Sequence, residues 1–214
     1  MIMSGANFSL YYSLFKGKWR DVANNSEFRF YLGIIFVSVL AITIDNNCHI
    51  YHNWFESFTH SLFQASSIMT TTGYTTFDYE KWSAFSRSVL FMLMFVGGSA
   101  GSTGGSIKVI RILALIKLIK REITKILHPR AIVAVKLGKE PVAEDTLLNI
   151  AGFFMLYMLI FILGSVAISL EGIGFLGATS AVAATLGNIG PGFGFVGPTH
   201  TYSEFSVLSK LLLS

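Results

Sequence analysis

Trp54–Tyr74 reads WFESFTHSLFQASSIMTTTGY, and its two parts ask for different backbones. Trp54–Met69 has helical periodicity: Phe55, Phe58, Leu62 and Phe63 fall on one face, with Ser57, His60, Ser61 and Gln64 elsewhere. Sixteen residues make roughly 24 Å of helix. That is too short, and this stretch too polar, to cross a hydrocarbon core of about 30 Å. The stretch therefore predicts a half-membrane helix buried in protein. Thr71-Thr72-Gly73-Tyr74 follows at once. It differs from the first four letters of the potassium-channel filter TVGYG only at the second position. In isolation such a tetrapeptide reads equally well as a glycine helix cap and a turn.

Working outward, the same order of elements recurs. Phe30–Ile44 is charge-free between Arg29 and Asp45 and predicts a spanning helix. Ser83–Val96 begins another, interrupted by Gly97-Gly98-Ser99-Ala100-Gly101-Ser102-Thr103-Gly104-Gly105. Five glycines there, each about 1 kcal/mol worse than alanine, break the helix. An apolar, basic helix resumes from Ser106 to Leu127, and His128-Pro129 ends it. Leu147–Leu170 is a second charge-free span, Ile173–Thr185 a second short helix, and Ser203–Leu213 a last apolar helix. Span, short helix and Gly/Thr loop thus occur twice. The loops align as Thr71-Thr72-Gly73-Tyr74 and Thr185-Leu186-Gly187-Asn188, both T-x-G-[YN]. The divisions expected are residues 1–29 (the tail of an earlier helix at Met1–Leu10, then a polar loop at Tyr11–Glu27), a repeat at 30–127, a link at 128–146 and a second repeat at 147–214.

Composition and charge agree. Hydrophobic residues form 52% of 214 and charged residues 13%, about half the usual globular share. The net charge of +4 is segregated. Lys16, Lys18, Arg20 and Arg29 crowd one loop, and nine Lys or Arg lie between Lys108 and Lys139. Neither 46–80 nor 171–204 holds any. Such alternation follows the positive-inside rule and argues against a nucleic-acid partner. It predicts cytoplasmic basic loops and external filter loops. Lys117, Lys120, Arg121 and Lys125 read as a solvated or lipid-phosphate-facing face. Trp54, Trp82 and Tyr79 read as interface anchors. Cys48 alone supports neither disulfide nor thiolate metal site, and the five histidines form no HExxH pair. No catalytic residues, cofactor or paired carboxylates emerge, so an enzyme is not expected.

The T-x-G loops suit one chemistry. A cation that sheds its water needs oxygens aimed at one axis, and an extended loop with inward carbonyls supplies them. Glycine permits the required backbone, and the preceding short helix turns its negative C-terminal end to the ion. Candidate ion ligands are Thr71, Thr72, Gly73, Tyr74, Thr185, Leu186, Gly187 and Asn188. Residues 97–105 match neither GxGxxG nor a Walker A. Gly97, Gly98, Gly101, Gly104 and Gly105 read as a flexible gate beneath the filter, or alternatively as a small-residue packing patch.

Taken together, Trp19-Arg20-Asp21, Glu27–Leu32, Thr70–Thr76, Gly97–Lys108 and Ala184–Gly194 with its Gly-Pro-Gly exit resemble the Trk/Ktr/HKT superfamily of potassium transporters, nearest the bacterial TrkH type. The resemblance implies an all-α integral membrane fold of M1–P–M2 pore-loop repeats around a pseudo-fourfold cation pore, incomplete in this chain. It implies potassium uptake at the plasma membrane, a homodimer embedded in membrane lipid, and a cytosolic nucleotide-binding, TrkA-like regulatory subunit. The resemblance makes the repeats at 30–127 and 147–214 the third and fourth of four, and Asn188 replaces the channel-like tyrosine, which makes the fourth wall chemically different. With two filter loops, the chain by itself is not expected to conduct. The rival reading is a secondary transporter of another broken-helix fold, a symporter coupled to H⁺ or Na⁺; the absence of acids within 30–44 and 147–170 weighs against it.

Overall fold

The computed structural model describes residues 1–131, 133–138 and 140–214. Lys139, counted above among the basic residues of the link, lies outside them. The described chain is almost wholly helical. It opens with α1 (Phe8–Phe15), α2 (Trp19–Ala23) and α3 (Ser26–Asn46), and α3 runs on through a π-helical turn at Asn47–Tyr51. Then come α4 (Trp54–Met69), α5 (Ala84–Leu93), α6 (Val109–Leu127), α7 (Glu144–Ser169), α8 (Phe175–Leu186) and α9 (Val207–Leu213). Between α6 and α7, β1 (Lys136–Leu137) and β2 (Glu140–Pro141) form a two-residue antiparallel ladder pairing Lys136 with Pro141 and Leu137 with Glu140.

The caps explain several boundaries. Asn25 and Asn53 lie in extended backbone, and their side chains accept from the Phe28 and Phe55 amides, starting α3 and α4. His52, left-handed at φ 51°, reverses the chain between those helices. Ser83 caps α5 through the Ser86 amide. At the other end of α6, His128 closes the helix just before Pro129.

α3 packs chiefly on α4, and α7 on α8, so each repeat pairs one long helix with one short one. The main core joins Tyr31, Ile35 and Ile42 of α3 to Ile68 and Met69 of α4 and Leu90 of α5. It continues into Ala183, Ile189 and Phe193 of the second repeat. The repeats therefore share one interior. A smaller cluster of Ala114, Val135 and Leu147 folds the link back onto α6 and α7.

Ser26–Tyr51 and Glu144–Ser169 are long and apolar enough to cross a membrane. On α7, Leu148, Met155, Leu159 and Leu163 are all more than half exposed, and α3 presents Phe36 and Val37 likewise. Leaving each such side chain in water forgoes about 1.5–3 kcal/mol. Lipid, not water, is the medium this surface fits.

Three expectations need correcting. Met1–Leu10 is not the tail of a helix; turns precede α1, which begins at Phe8, and two short helices occupy the predicted loop at Tyr11–Glu27. The Asn25 cap starts α3 four residues before Phe30, so Arg29 lies inside the helix rather than at its border. Of the aromatics read as interface anchors, Trp54 is exposed, but Tyr79 and Trp82 are buried. Trp82 donates to the Tyr51 hydroxyl at 3.1 Å and Tyr79 to the Gly192 carbonyl at 2.7 Å, because each buried polar tip needs a partner.

Candidate functional site

α4 has the short, polar character its sequence suggested, and its polar side is the buried one. Ser57, Ser61, Gln64, Ser66 and Ser67 are enclosed, while Phe55 and Phe58 face outward. A helix turned this way brings its polar side and its carbonyl end into the interior of the molecule. α8, whose buried stretch 177–184 is Gly, Ala, Ser and Thr apart from Val182, does the same in the second repeat.

Both helices end in the same turn. After α4, the Thr70, Thr71 and Thr72 amides donate back to Ser66, Ile68 and Ser67 carbonyls at 3.0, 3.0 and 2.8 Å. After α8, the Gly187, Asn188 and Ile189 amides donate to Ala183, Thr185 and Ala184 carbonyls at 2.9, 2.9 and 2.7 Å. Left-handed backbone follows in the same alternation: Thr71 at φ 53° and Gly73 at 78°, then Asn188 at 55° and Gly190 at 111°. Thr70-Thr71-Thr72-Gly73-Tyr74 is therefore equivalent to Gly187-Asn188-Ile189-Gly190-Pro191.

This corrects the alignment made on T-x-G. Thr185 and Leu186 belong to the last turn of α8, where the Thr185 hydroxyl donates to the Ala181 carbonyl at 2.9 Å. Gly187 is its right-handed C-cap at φ −83°. Helical residues point their carbonyls along the helix axis, so Thr185, Leu186 and Gly187 are not an extended run of ligands. Asn188 remains at the loop, opposite Thr71 in register rather than Tyr74. Ile189 and Gly190 were missed as site residues. The glycine that must be left-handed, followed by Pro191, was the signal that could have placed them.

The two loops meet. A Cβ on Gly73 would overlap the Ile189 carbonyl oxygen, so glycine is required there by contact as well as by φ. Among the described residues, the carbonyls of Thr71, Thr72, Gly73, Asn188 and Ile189 accept no hydrogen bond. Side chains brace the strands beyond. Ser67 donates to the Tyr74 carbonyl at 2.6 Å. In the second loop the Phe193 amide donates to Ser180 at 2.8 Å, the Gly194 amide to the Glu80 carboxylate, and Tyr202 to the Gly190 carbonyl at 2.7 Å. Burial pushes the Tyr202 phenol up to about 12, so it remains a donor at neutral pH. Tyr79 and Glu80 thus come from the first repeat to hold the loop of the second.

The glycine-rich segment lies directly against both loops. A parallel bridge between Val96 and Ile107 pinches it at the neck. The Gly105 amide donates to the Thr71 hydroxyl at 2.9 Å, and Ser106, left-handed at φ 51°, donates to the Met94 carbonyl at 2.7 Å and to the Gly187 carbonyl at 3.3 Å. The Gly98 carbonyl receives the Val109 amide at 3.1 Å, and the Gly101 carbonyl the Phe8 amide at 3.3 Å. Lys108 turns its ammonium back onto the Gly104 and Ser102 carbonyls. The buried Glu27 carboxylate, from the first turn of α3, accepts from the Ala100 amide at 2.6 Å. Gly97 packs against Gly105, and Gly105 against the Gly187 carbonyl, with no room for a Cβ at either. In this conformation the segment is tightly packed and held from four directions. No cluster of three metal-ligating side chains occurs among the described residues. Backbone oxygen is the ligand chemistry on offer.

A family model described as "TrkH: Cation transport protein" matches residues 28–214. The Trk system potassium uptake protein TrkH of Escherichia coli K12 is 38% identical over 207 residues, covering 94% of this chain and 42% of its own length. That of Salmonella typhimurium is 39% identical over 219 residues, covering 100% and 44%. E. coli TrkG is 35% identical, covering 98% and 42%. The crystal structure of the potassium transporter TrkH from Vibrio parahaemolyticus superposes with a TM-score of 0.90 at 34% identity, covering 99% of this chain and 46% of that one. The chain spans less than half the length of the relatives it matches.

Proposed function

Since the chain belongs to the TrkH family of cation transport proteins, helical and multi-pass in the membrane, we propose that it forms two walls of a pore through which potassium enters the cell. One observation carries this reading: two short helices end in matching left-handed turns with unpaired carbonyls, and the turns touch, the Ile189 carbonyl lying against Gly73. Potassium sheds its water into a ring of such oxygens. Thr71, Thr72 and Gly73 supply unpaired carbonyls to one wall, which Tyr74 continues, and Asn188 and Ile189 supply them to the other, which Gly190 and Pro191 continue; Ser67 and Tyr202 hold the Tyr74 and Gly190 carbonyls. The C-terminal ends of α4 and α8 add their negative dipoles. The relatives named above as potassium uptake proteins support the ion's identity.

Gly97–Gly105 is the gate in this reading. It rests under Thr71 and against the end of α8, so conduction requires it to leave those contacts. The filter loops face outward and the basic stretches face the cytoplasm. A homodimer and a cytosolic nucleotide-binding subunit of the TrkA kind complete the working assembly. Transport is by carbonyl selection rather than by an acid-bearing symport site, and the chain is not an enzyme; its relatives are transport proteins. The test is rescue of a potassium-uptake-deficient bacterium at low external potassium by these two walls within a complete four-loop pore, with rubidium and sodium uptake followed in the same cells. Growth with rubidium preferred over sodium is the expected result. No rescue, with the protein present in the membrane, would overturn the reading.

A further inference from the structure

The basic face of α6 borders a cavity that the transport reading leaves unused. Lys117, Lys120, Arg121 and Thr124 line one side, and residues 133–136 of the folded-back link the other, around a volume of about 270 Å³. The link is anchored there by Val135, buried against Ala114 and Leu147. Arg121 is neutralised: its guanidinium holds Glu122 at 2.8 Å and also Glu144. Lys117 donates only to the Lys136 carbonyl at 2.6 Å. Among the described residues, Lys117, Lys120 and Lys136 pair with no carboxylate. Three lysines without a carboxylate partner among the described residues therefore line one cavity.

The same turns of α6 carry an apolar stripe. Ile116, Ile119, Ile123 and Ile126 are 48, 59, 53 and 78% exposed. Three of these isoleucines each immediately precede a cavity residue: Ile116 and Lys117, Ile119 and Lys120, Ile123 and Thr124. The two faces are thus about 100° apart on the helix. An anion seated in the cavity and tethered to hydrocarbon chains satisfies both at once. Free phosphate leaves the isoleucines in water, and an acidic protein surface has no use for them. A basic, apolar-faced helix end is the pattern that reads anionic lipid.

We propose that this cavity is a binding site for the headgroup of an anionic phospholipid, with Lys117, Lys120 and Lys136 holding the phosphate and the isoleucine stripe receiving the acyl chains. The proposal rests on the transport reading only in placing the end of α6 at the cytoplasmic face. The protein is taken into nanodiscs of phosphatidylcholine containing a minority of phosphatidylglycerol, and retained lipids are counted by native mass spectrometry. Wild type should keep phosphatidylglycerol over phosphatidylcholine. Lys117→Gln/Lys120→Gln/Lys136→Gln should lose that preference by roughly a hundredfold, given about fivefold per neutralised lysine. Lys125→Gln, outside the cavity, should retain it. Lys120→Gln alone, with a smaller loss, serves if the triple variant fails to fold. Equal retention in the triple variant, or full displacement of the lipid by inorganic phosphate, overturns the proposal. So does loss of a soluble acidic partner with lipid retention unchanged. Rubidium flux through the complete pore, reconstituted in liposomes of the same lipid mixture, separates this outcome from failure of the transport reading.

Discussion

Alanine at Gly190 distinguishes the two registers of the fourth loop. Gly190 sits at φ 111°, where its missing Cβ would meet nothing within 4 Å, so the whole penalty is backbone strain. Such a conformation costs a residue with a Cβ about 1–3 kcal/mol. The Gly190 carbonyl is held by Tyr202, so relaxation falls on the neighbouring Ile189 carbonyl. If that strain is felt by potassium and not by sodium, 1.4 kcal/mol is a tenfold loss of preference. The rubidium-to-sodium uptake ratio in potassium-starved cells should therefore fall by roughly tenfold, and Gly73→Ala should do at least as much, because it also displaces Ile189. Gly187 is right-handed, and alanine suits its backbone; the Ser106 hydroxyl crowds the new methyl most, followed by the Ala183 carbonyl at 2.9 Å and the Ile189 side chain at 3.2 Å. Gly187→Ala in a Ser106→Gly background loses the largest of these overlaps and should lower the ratio less than Gly190→Ala does. An unchanged ratio in Gly190→Ala with a collapsed one in Gly187→Ala/Ser106→Gly would refute the reasoning and restore the T-x-G register.

Other outcomes follow from neighbouring contacts. Gly105→Ala drives a methyl into the Gly187 carbonyl, so it should raise the open fraction in single-channel records and leave ion preference intact; altered preference with normal gating would contradict the gate. Glu27→Ala leaves the Ala100 amide without its acceptor, at a cost of about 1–3 kcal/mol to this packing, and should shift the same open fraction in the same direction. Glu171 accepts hydrogen bonds from Ser206 and Ser209, which hold its carboxyl below the ordinary value. Its contribution is complete above pH 4.5 and disappears as pH falls through the depressed value. The melting temperature should drop in that acid range in wild type and be flatter there in Glu171→Gln. With Cys48→Ser as background, Asn53→Cys should label with an impermeant maleimide from outside and Arg130→Cys should not; the reverse would invert the topology.

Periodicity made α4 legible to the residue, because Asn53 caps it and threonines end it. The long helices were legible from missing charge. Their true starts were not, since the Asn25 side chain caps α3 and Ala143 opens α7 in extended backbone, neither of which hydropathy registers. The third-repeat loop was legible for the opposite reason to the fourth. In Thr71–Tyr74 the glycine and the familiar letters coincide, whereas in the fourth the familiar letters sit three residues early, inside the helix. Only hydrogen bonds to Thr185, Ala184 and Ala183 reveal where the helix stops. The loop-holding roles of Glu27, Tyr79 and Glu80 were not legible because each acts on a loop at least 73 residues away in sequence, and no local pattern encodes such a partner; Tyr79 was read only as an interface anchor.

The repeats are tied at the loops as well as beside the link. Tyr79 holds Gly192, Glu80 holds Gly194, and Phe95 meets Phe161 edge-on at 5.0 Å, while Arg121 holds Glu144. None of these ties needs the covalent crossing at 128–146. A gene split at Gly138, a left-handed and exposed position, should give two polypeptides that co-assemble when expressed together. Protease nicking at that turn should likewise leave the halves migrating as one particle until detergent strips the interface.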